Sequence, residues 1–170
     1  MSNLEECIIK AHEDGLADHI AVRVGKGEQI LNDCFYSADY EINSKTLFDM
    51  ASVTKIMVTT MLTLIAADRK LLNFDDKVSR FFPCPNDKSE LTIKHLLTHT
   101  MGYGHRSLCE KGNTYDNIQN YILSLPCDFP VGTKVDYSCP GFILLGKILE
   151  KVLTNEKNGV IILAVKGLEC

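Results

Sequence analysis

The sequence predicts an α/β fold in which an antiparallel hairpin packs on helices and a helical subdomain completes the chain. Three observations predict it. Two β-prone runs flank a glycine-bearing turn, a long apolar helix begins at Ser52, and short capped helical segments follow from Leu71 onward. At 170 residues, with 45% apolar and 24% charged residues, the chain has the length and balance of one globular unit. A net charge of -4, with no basic cluster longer than Arg69-Lys70, argues against nucleic acid as a partner.

The first element, Met1 to Asp14, reads as an amphipathic helix with Leu4, Cys7, Ile8 and Ala11 on one face. It lacks the basic-then-apolar run of a secretory leader, so a cytoplasmic setting is expected; a chain trimmed of its leader would look the same. Next come the strands His19 to Val24 and Gln29 to Phe35, separated by Gly25-Lys-Gly-Glu28. A two-stranded hairpin is marginal in water. The helix from Ser52 to Asp68 is the expected cover, and its apolar stretch Ile56 to Ala67 is too short and too threonine-bearing for a membrane span.

Beyond Leu71 the expected pieces are a turn capped by Asp75 before Val78, Phe81 and Phe82, and a helix Ile93 to His99 capped by Thr92. A polar loop through His105 and Gly112 leads to a helix from about Asn117 to Leu125. Pro126 and Pro130 then hold an extended loop. The last helix starts near Pro140 and presents Phe142, Leu145, Ile148, Leu149 and Val152 to the core. Seven cysteines (Cys7, Cys34, Cys84, Cys109, Cys127, Cys139, Cys170) form an odd set with no C-x-x-C pair, and read as reduced thiols.

The chemistry concentrates at Ser52-Val-Thr-Lys55, which places a hydroxyl and an amine one helical turn apart on one face. A serine hydroxyl needs a base within hydrogen-bond reach, and a lysine serves as one when burial depresses its pKa. The helix start also brings backbone N–H groups and positive dipole to the place where an oxyanion would form. S-x-x-K alone is a frequent coincidence. His95 and His99 have the spacing of zinc ligands but enclose Leu96, Leu97 and Thr98 rather than the glutamate of H-E-x-x-H; no metal site and no cofactor are expected.

The wider context changes the weight of the tetrad. Leu47-Phe-Asp-Met-Ala-Ser-Val-Thr-Lys55 resembles the nucleophile segment of the β-lactamase-related serine hydrolases, where F-x-x-A-S-x-T-K is typical. Leu72 to Pro83 resembles the short helix that follows it in that family, and Leu91-Thr-Ile-Lys-His-Leu-Leu-Thr-His-Thr-Met-Gly102 resembles the L-T-I-x-x-L-L-T-H-T-S-G signature. Pro130-Val-Gly-Thr-Lys-Val-Asp-Tyr-Ser-Cys139 stands where the family has Y-x-N. The resemblance, over about residues 17 to 153, implies the amino-terminal part of the β-lactamase/transpeptidase-like fold. It implies Ser52 as nucleophile, Lys55 as its partner and Tyr137 as a phenol sharing their proton network. Cys139 takes the substrate-facing asparagine position with a weaker donor and acceptor. A Cys139 thiolate with His99 nearby is the alternative nucleophile, while His99 otherwise reads as a structural residue of the L-T-H-T-M-G turn.

The implied activity is acyl transfer on an amide or ester carbonyl of a small molecule or peptide: a β-lactam, a D-Ala-D-Ala peptide or a simple ester. The family's third motif, K-T-G or H-x-G, has no counterpart beyond Lys166-Gly167, so the division expected is a truncated domain at 1–153 and a divergent tail at 154–170. A catalytically incomplete remnant or ligand-binding module of the same fold is the second reading. On these grounds the hairpin should keep an unpaired edge, residues such as Ile20, Val22, Ile30 and Phe35 should lose part of the cover a full sheet provides, and the chain should self-associate with weak or no hydrolase activity unless its tail supplies a replacement strand. Light scattering over a dilution series, paired with an ester turnover assay, tests this; a stable monomer with ordinary enzymatic rates would refute it.

Overall fold

Glu5 and Glu6 in its first turn and Lys10 and His12 in its last complement the dipole of helix α1, Asn3–Glu13. The computed structural model describes residues 3–104 and 117–154. The chain divides into two units, Met1–Asp49 and Met50–Cys170. In the first, Ile8 is buried, Leu4 and Ala11 are half-buried, and Cys7, expected on the same face, is exposed. One residue is about 100° of helix rotation, which carries Cys7 off a stripe centred on Ile8.

The hairpin pairs β1, His19–Lys26, antiparallel with β2, Gln29–Ser37. Both strands run longer than the sequence suggests, because Gly25 and Lys26 pair with Ile30 and Gln29 and leave a two-residue loop. Gly27, at φ 59°, supplies the positive φ that such a loop needs. The register shifts between Val24 and Gly25, with Val24 opposite Asn32 and Gly25 opposite Ile30, so Leu31 is the extra residue of a bulge. Ile20, Val22, Cys34 and Tyr36 share one face, and α1 packs on the hairpin there, the His12 ring lying 5.1 Å from that of Tyr36. On the other face the cross-strand ion pair Arg23–Asp33 joins Ala21 and Phe35.

The second unit begins with α2, a π-helical stretch Lys55–Thr60 continued by α-helical Met61–Asp68. The sequence predicts one apolar core helix here, and the structure corrects that expectation. Lys55, Thr59, Thr63 and Ala66 form the buried stripe, while Ile56, Met57, Met61, Leu64 and Ile65 are exposed. Threonine hydroxyls along the helix take up backbone acceptors: Thr60 Oγ1, beside the stripe, donates to Lys55 O at 2.8 Å and Thr63 Oγ1, within it, to Thr59 O at 2.7 Å. β-Branched Val58, Thr59 and Thr60 crowd the preceding turn, and the bond from Thr60 five residues back matches the wider π spacing.

A 3₁₀ turn at Val78–Arg80 follows. Its cap position is Lys77 rather than Asp75, and the neighbouring Asp76 accepts from Asn73 N–H and Arg80 instead. Helix α3, Ile93–Leu97, has the expected cap: Thr92 accepts from His95 N–H while the His95 ring reaches back to Thr92 N–H. Helix α4 spans Ile118–Ser124 and α5 spans Cys139–Thr154. α5 was expected to bury one face; every residue from Ser138 to Leu149 is buried, because α2, α3 and α4 all pack on it. Its Leu144, Leu145, Ile148 and Leu149 centre a core shared with Ala66, Leu72, Leu91, Ile93, Leu96 and Ile122. The segment through His105 and Gly112, Cys109, Cys170, and the tail at 155–170 with its Lys166-Gly167 lie outside the described residues. Among those described, no helix is long and apolar enough to cross a membrane.

Leu145→Ala should therefore destabilise the second unit by about 2–5 kcal/mol, whereas Ile30→Ala at the hairpin tip should change stability by less than about 0.5 kcal/mol. Urea unfolding of the two variants measures both, and equal effects would contradict the placement of the core.

Candidate active site

Four backbone hydrogen bonds zip the turn after α3 to the extended loop before α5. Gly102 O accepts from Asp128 N–H at 2.8 Å and Phe129 N–H at 3.2 Å, Thr100 O from Gly132 N–H at 2.8 Å, and His99 O from Asp136 N–H at 2.8 Å. Gly102 permits the closeness. Its φ is 108°, and a Cβ there would stand 2.7 Å from the Cys127 sulfur. The ladder delivers Tyr137 to the start of α2.

There the tetrad takes its expected shape. Lys55 Nζ donates to Ser52 Oγ at 3.3 Å, and Tyr137 OH donates to the same oxygen at 2.7 Å. The ammonium also lies 5.2 Å from the centre of the Tyr137 ring. Ser52 is exposed and Lys55 only 3% exposed, so the hydroxyl faces solvent while its partner is sheltered. Ala51, immediately before the serine, holds φ at 41°, a left-handed conformation that L-residues adopt at a cost. The N–H groups of Val53, Thr54 and Lys55 are spent on the carbonyls of Met50, Ala51 and Ser52. They close the turn rather than face outward.

The charge state of Lys55 differs from the sequence expectation. Burial pulls its pKa down, but the hydrogen bond with the Tyr137 phenol, the Cys139 thiol and the charges those groups can carry outweigh it, so the amine sits above its ordinary value. Cys139, 4% exposed, thus faces the lysine rather than standing apart from the site.

His99 plays a larger part than the sequence suggests. Its Nδ1 accepts from Ser138 N–H at 3.0 Å, and its ring lies 4.7 Å from that of Tyr137 and 5.0 Å from that of Phe142. Burial and the nearby Lys55 charge hold it below the ordinary histidine value. His95 Nδ1 is engaged with Thr92, so the two histidines serve different local structures. Sequence offered no direct signal for the His99–Ser138 bond, beyond a bulky residue in a turn ending in glycine. The five described cysteines, Cys7, Cys34, Cys84, Cys127 and Cys139, are free thiols.

Comparison with known proteins gives a consistent picture. A family model described as Beta-lactamase matches residues 9–158. Esterase EstB of Burkholderia gladioli is 38% identical over 166 residues, covering 82% of this chain and 42% of the relative. A beta-lactamase of Lysobacter lactamgenus is 27% identical over 113 residues, covering 65% of this chain and 29% of the relative. The crystal structure of a class C beta lactamase from Rhodobacter sphaeroides superposes with a TM-score of 0.76 at 23% identity, over 89% of this chain and 44% of that one. The fold is therefore the β-lactamase/transpeptidase-like α/β fold, and the chain spans less than half the length of these relatives.

Because the folded pKa of Lys55 is raised, its stabilising contribution is present below the unfolded value and is lost as pH climbs through the folded one. Lys55→Met should accordingly lose less stability than wild type when pH is taken above about 10.4. Urea midpoints across that range decide it; parallel losses in the two proteins would contradict the assignment.

Proposed function

As this chain belongs to the β-lactamase family of serine hydrolases, we propose that it forms an acyl-enzyme at Ser52 with an amide or ester substrate. The observation that carries the reading is the convergence of Lys55 Nζ and Tyr137 OH on Ser52 Oγ, at 3.3 and 2.7 Å. In the resting geometry the serine oxygen accepts from both. To attack a carbonyl, the trio must lose one proton, which leaves from the groups hydrogen-bonded to the serine oxygen. With Lys55 charged, the anionic form of Tyr137 is the species that takes the serine proton. The same phenol returns it to the leaving group, and water then releases the acyl chain.

The oxyanion donor available at this helix start is the Ser52 N–H itself, since the next three donors are committed to the turn. Cys139 in the asparagine position presents a thiol engaged with Lys55, which favours substrates that need no amide contact there. A simple ester fits that description better than a peptide. The same thiol supports the second reading of a fold that binds an acyl compound without turning it over.

A fluorophosphonate probe should label Ser52, located by mass spectrometry, and Ser52→Ala should abolish the adduct. Labelling retained in Ser52→Ala would remove Ser52 as nucleophile, and a wild type that never labels would favour the binding reading. Because the Lys55 proton is tightly held, the labelling rate should rise steadily from pH 7 to about pH 10. A rate flat over that interval would mean that the trio is not the base.

A further inference from the structure

The imidazole of His99 touches neither Ser52 nor Lys55 in the hydrogen-bond pattern around the nucleophile, yet it is fixed at both ends. Its Nδ1 accepts from Ser138 N–H at 3.0 Å, its carbonyl accepts from Asp136 N–H at 2.8 Å, and its ring packs against Tyr137 and Phe142. The two bonds bracket Tyr137 in sequence, so they set the backbone from which the phenol reaches Ser52. The main chain of His99 is itself at φ 56°, in the left-handed region, with its ring meeting Ser138 and Tyr137 and its carbonyl meeting Asp136.

We propose that His99 is a positioning residue for the acyl-transfer reading given above, holding the Tyr137 phenol on Ser52 while its imidazole is neutral and releasing it when the imidazole is protonated. An Nδ1 that accepts from a backbone N–H carries no proton, which assigns the neutral ring its hydrogen on Nε2. Adding a proton to Nδ1 sets N–H against N–H and breaks the bond. The groups that face the ring agree with this. From α2 comes the Lys55 ammonium, from the loop before α5 the Tyr137 phenol and Ser138 N–H, from α5 the Phe142 ring, and Asp136 turns its carboxylate toward Lys134 at 3.5 Å. Burial and the Lys55 charge both disfavour the imidazolium, so the ring is neutral near pH 7 and the release belongs to acid. A group with a depressed folded value keeps its stabilising effect above the unfolded value, about 6.5, and loses it as pH falls through the folded one.

The test separates this proposal from the nucleophile assignment by using two readouts on the full chain. In protein carrying ¹⁵N-histidine and ¹³Cζ-tyrosine, the Tyr137 resonance should move in the same acid step as His99 Nδ1. In His99→Asn, whose amide oxygen reproduces the acceptor without titrating, that step should vanish. Fluorophosphonate labelling should lose rate in the same step in wild type and lack it in His99→Asn. His99→Leu, similar in size to asparagine but without an acceptor, should label about a hundredfold more slowly at every pH, with asparagine recovering most of the loss. Titration of His99 with an unmoved Tyr137 resonance overturns the proposal, whether or not the protein labels. Absence of labelling in wild type with coincident resonance shifts would instead sink the acyl-transfer reading and leave the positioning intact.

Discussion

An ammonium group taken out of water must find partners, and the side chain of Lys55 is almost wholly buried. Much of the second unit answers to that demand. The serine three residues earlier, the phenol of Tyr137 and the thiol of Cys139 surround the amine, two of them brought from more than eighty residues away in sequence. The loop before α5, which brings both of these, is zipped to the turn after α3 at Gly102, where a Cβ would collide with Cys127. The same demand accounts for the inverted face of α2: the stripe that buries Lys55 continues through Thr59 and Thr63, so the apolar stripe is turned outward.

The parts of this structure that were legible in the sequence are those fixed by local chemistry. The hairpin follows from its turn residues, the Thr92 cap from one side chain and the N–H three residues on, and the Ser52–Lys55 pairing from helical spacing. What escaped depends on which face a helix presents. Apolar content identifies α2 as a helix, yet the rule that the apolar stripe goes inward misplaces its faces, because a buried charge with hydroxyl neighbours competes for the interior. Cys7 failed for a smaller version of the same reason, one residue of rotation. The His99–Ser138 bond joins residues 39 apart through a backbone donor, which no side-chain pattern records.

Replacement of the family's asparagine by Cys139 is best understood through the same amine. An asparagine amide donates and accepts without taking a charge, whereas a thiol is a weak partner that can become an anion beside a cation. Here the thiol and the Tyr137 phenol together leave the Lys55 amine above its ordinary value despite its burial.

The burial of α5 from Cys139 to Leu149 has a consequence for how the molecule breathes. Its first residue, Cys139, is buried, so it meets a thiol reagent in native buffer only when the structure around it opens. Cys34, buried on the hairpin, has the same standing in the first unit. Among the described residues each unit thus carries one buried thiol that reports its opening. Their relative alkylation rates under native conditions reveal whether the two halves of the chain fluctuate as one cooperative body or as two.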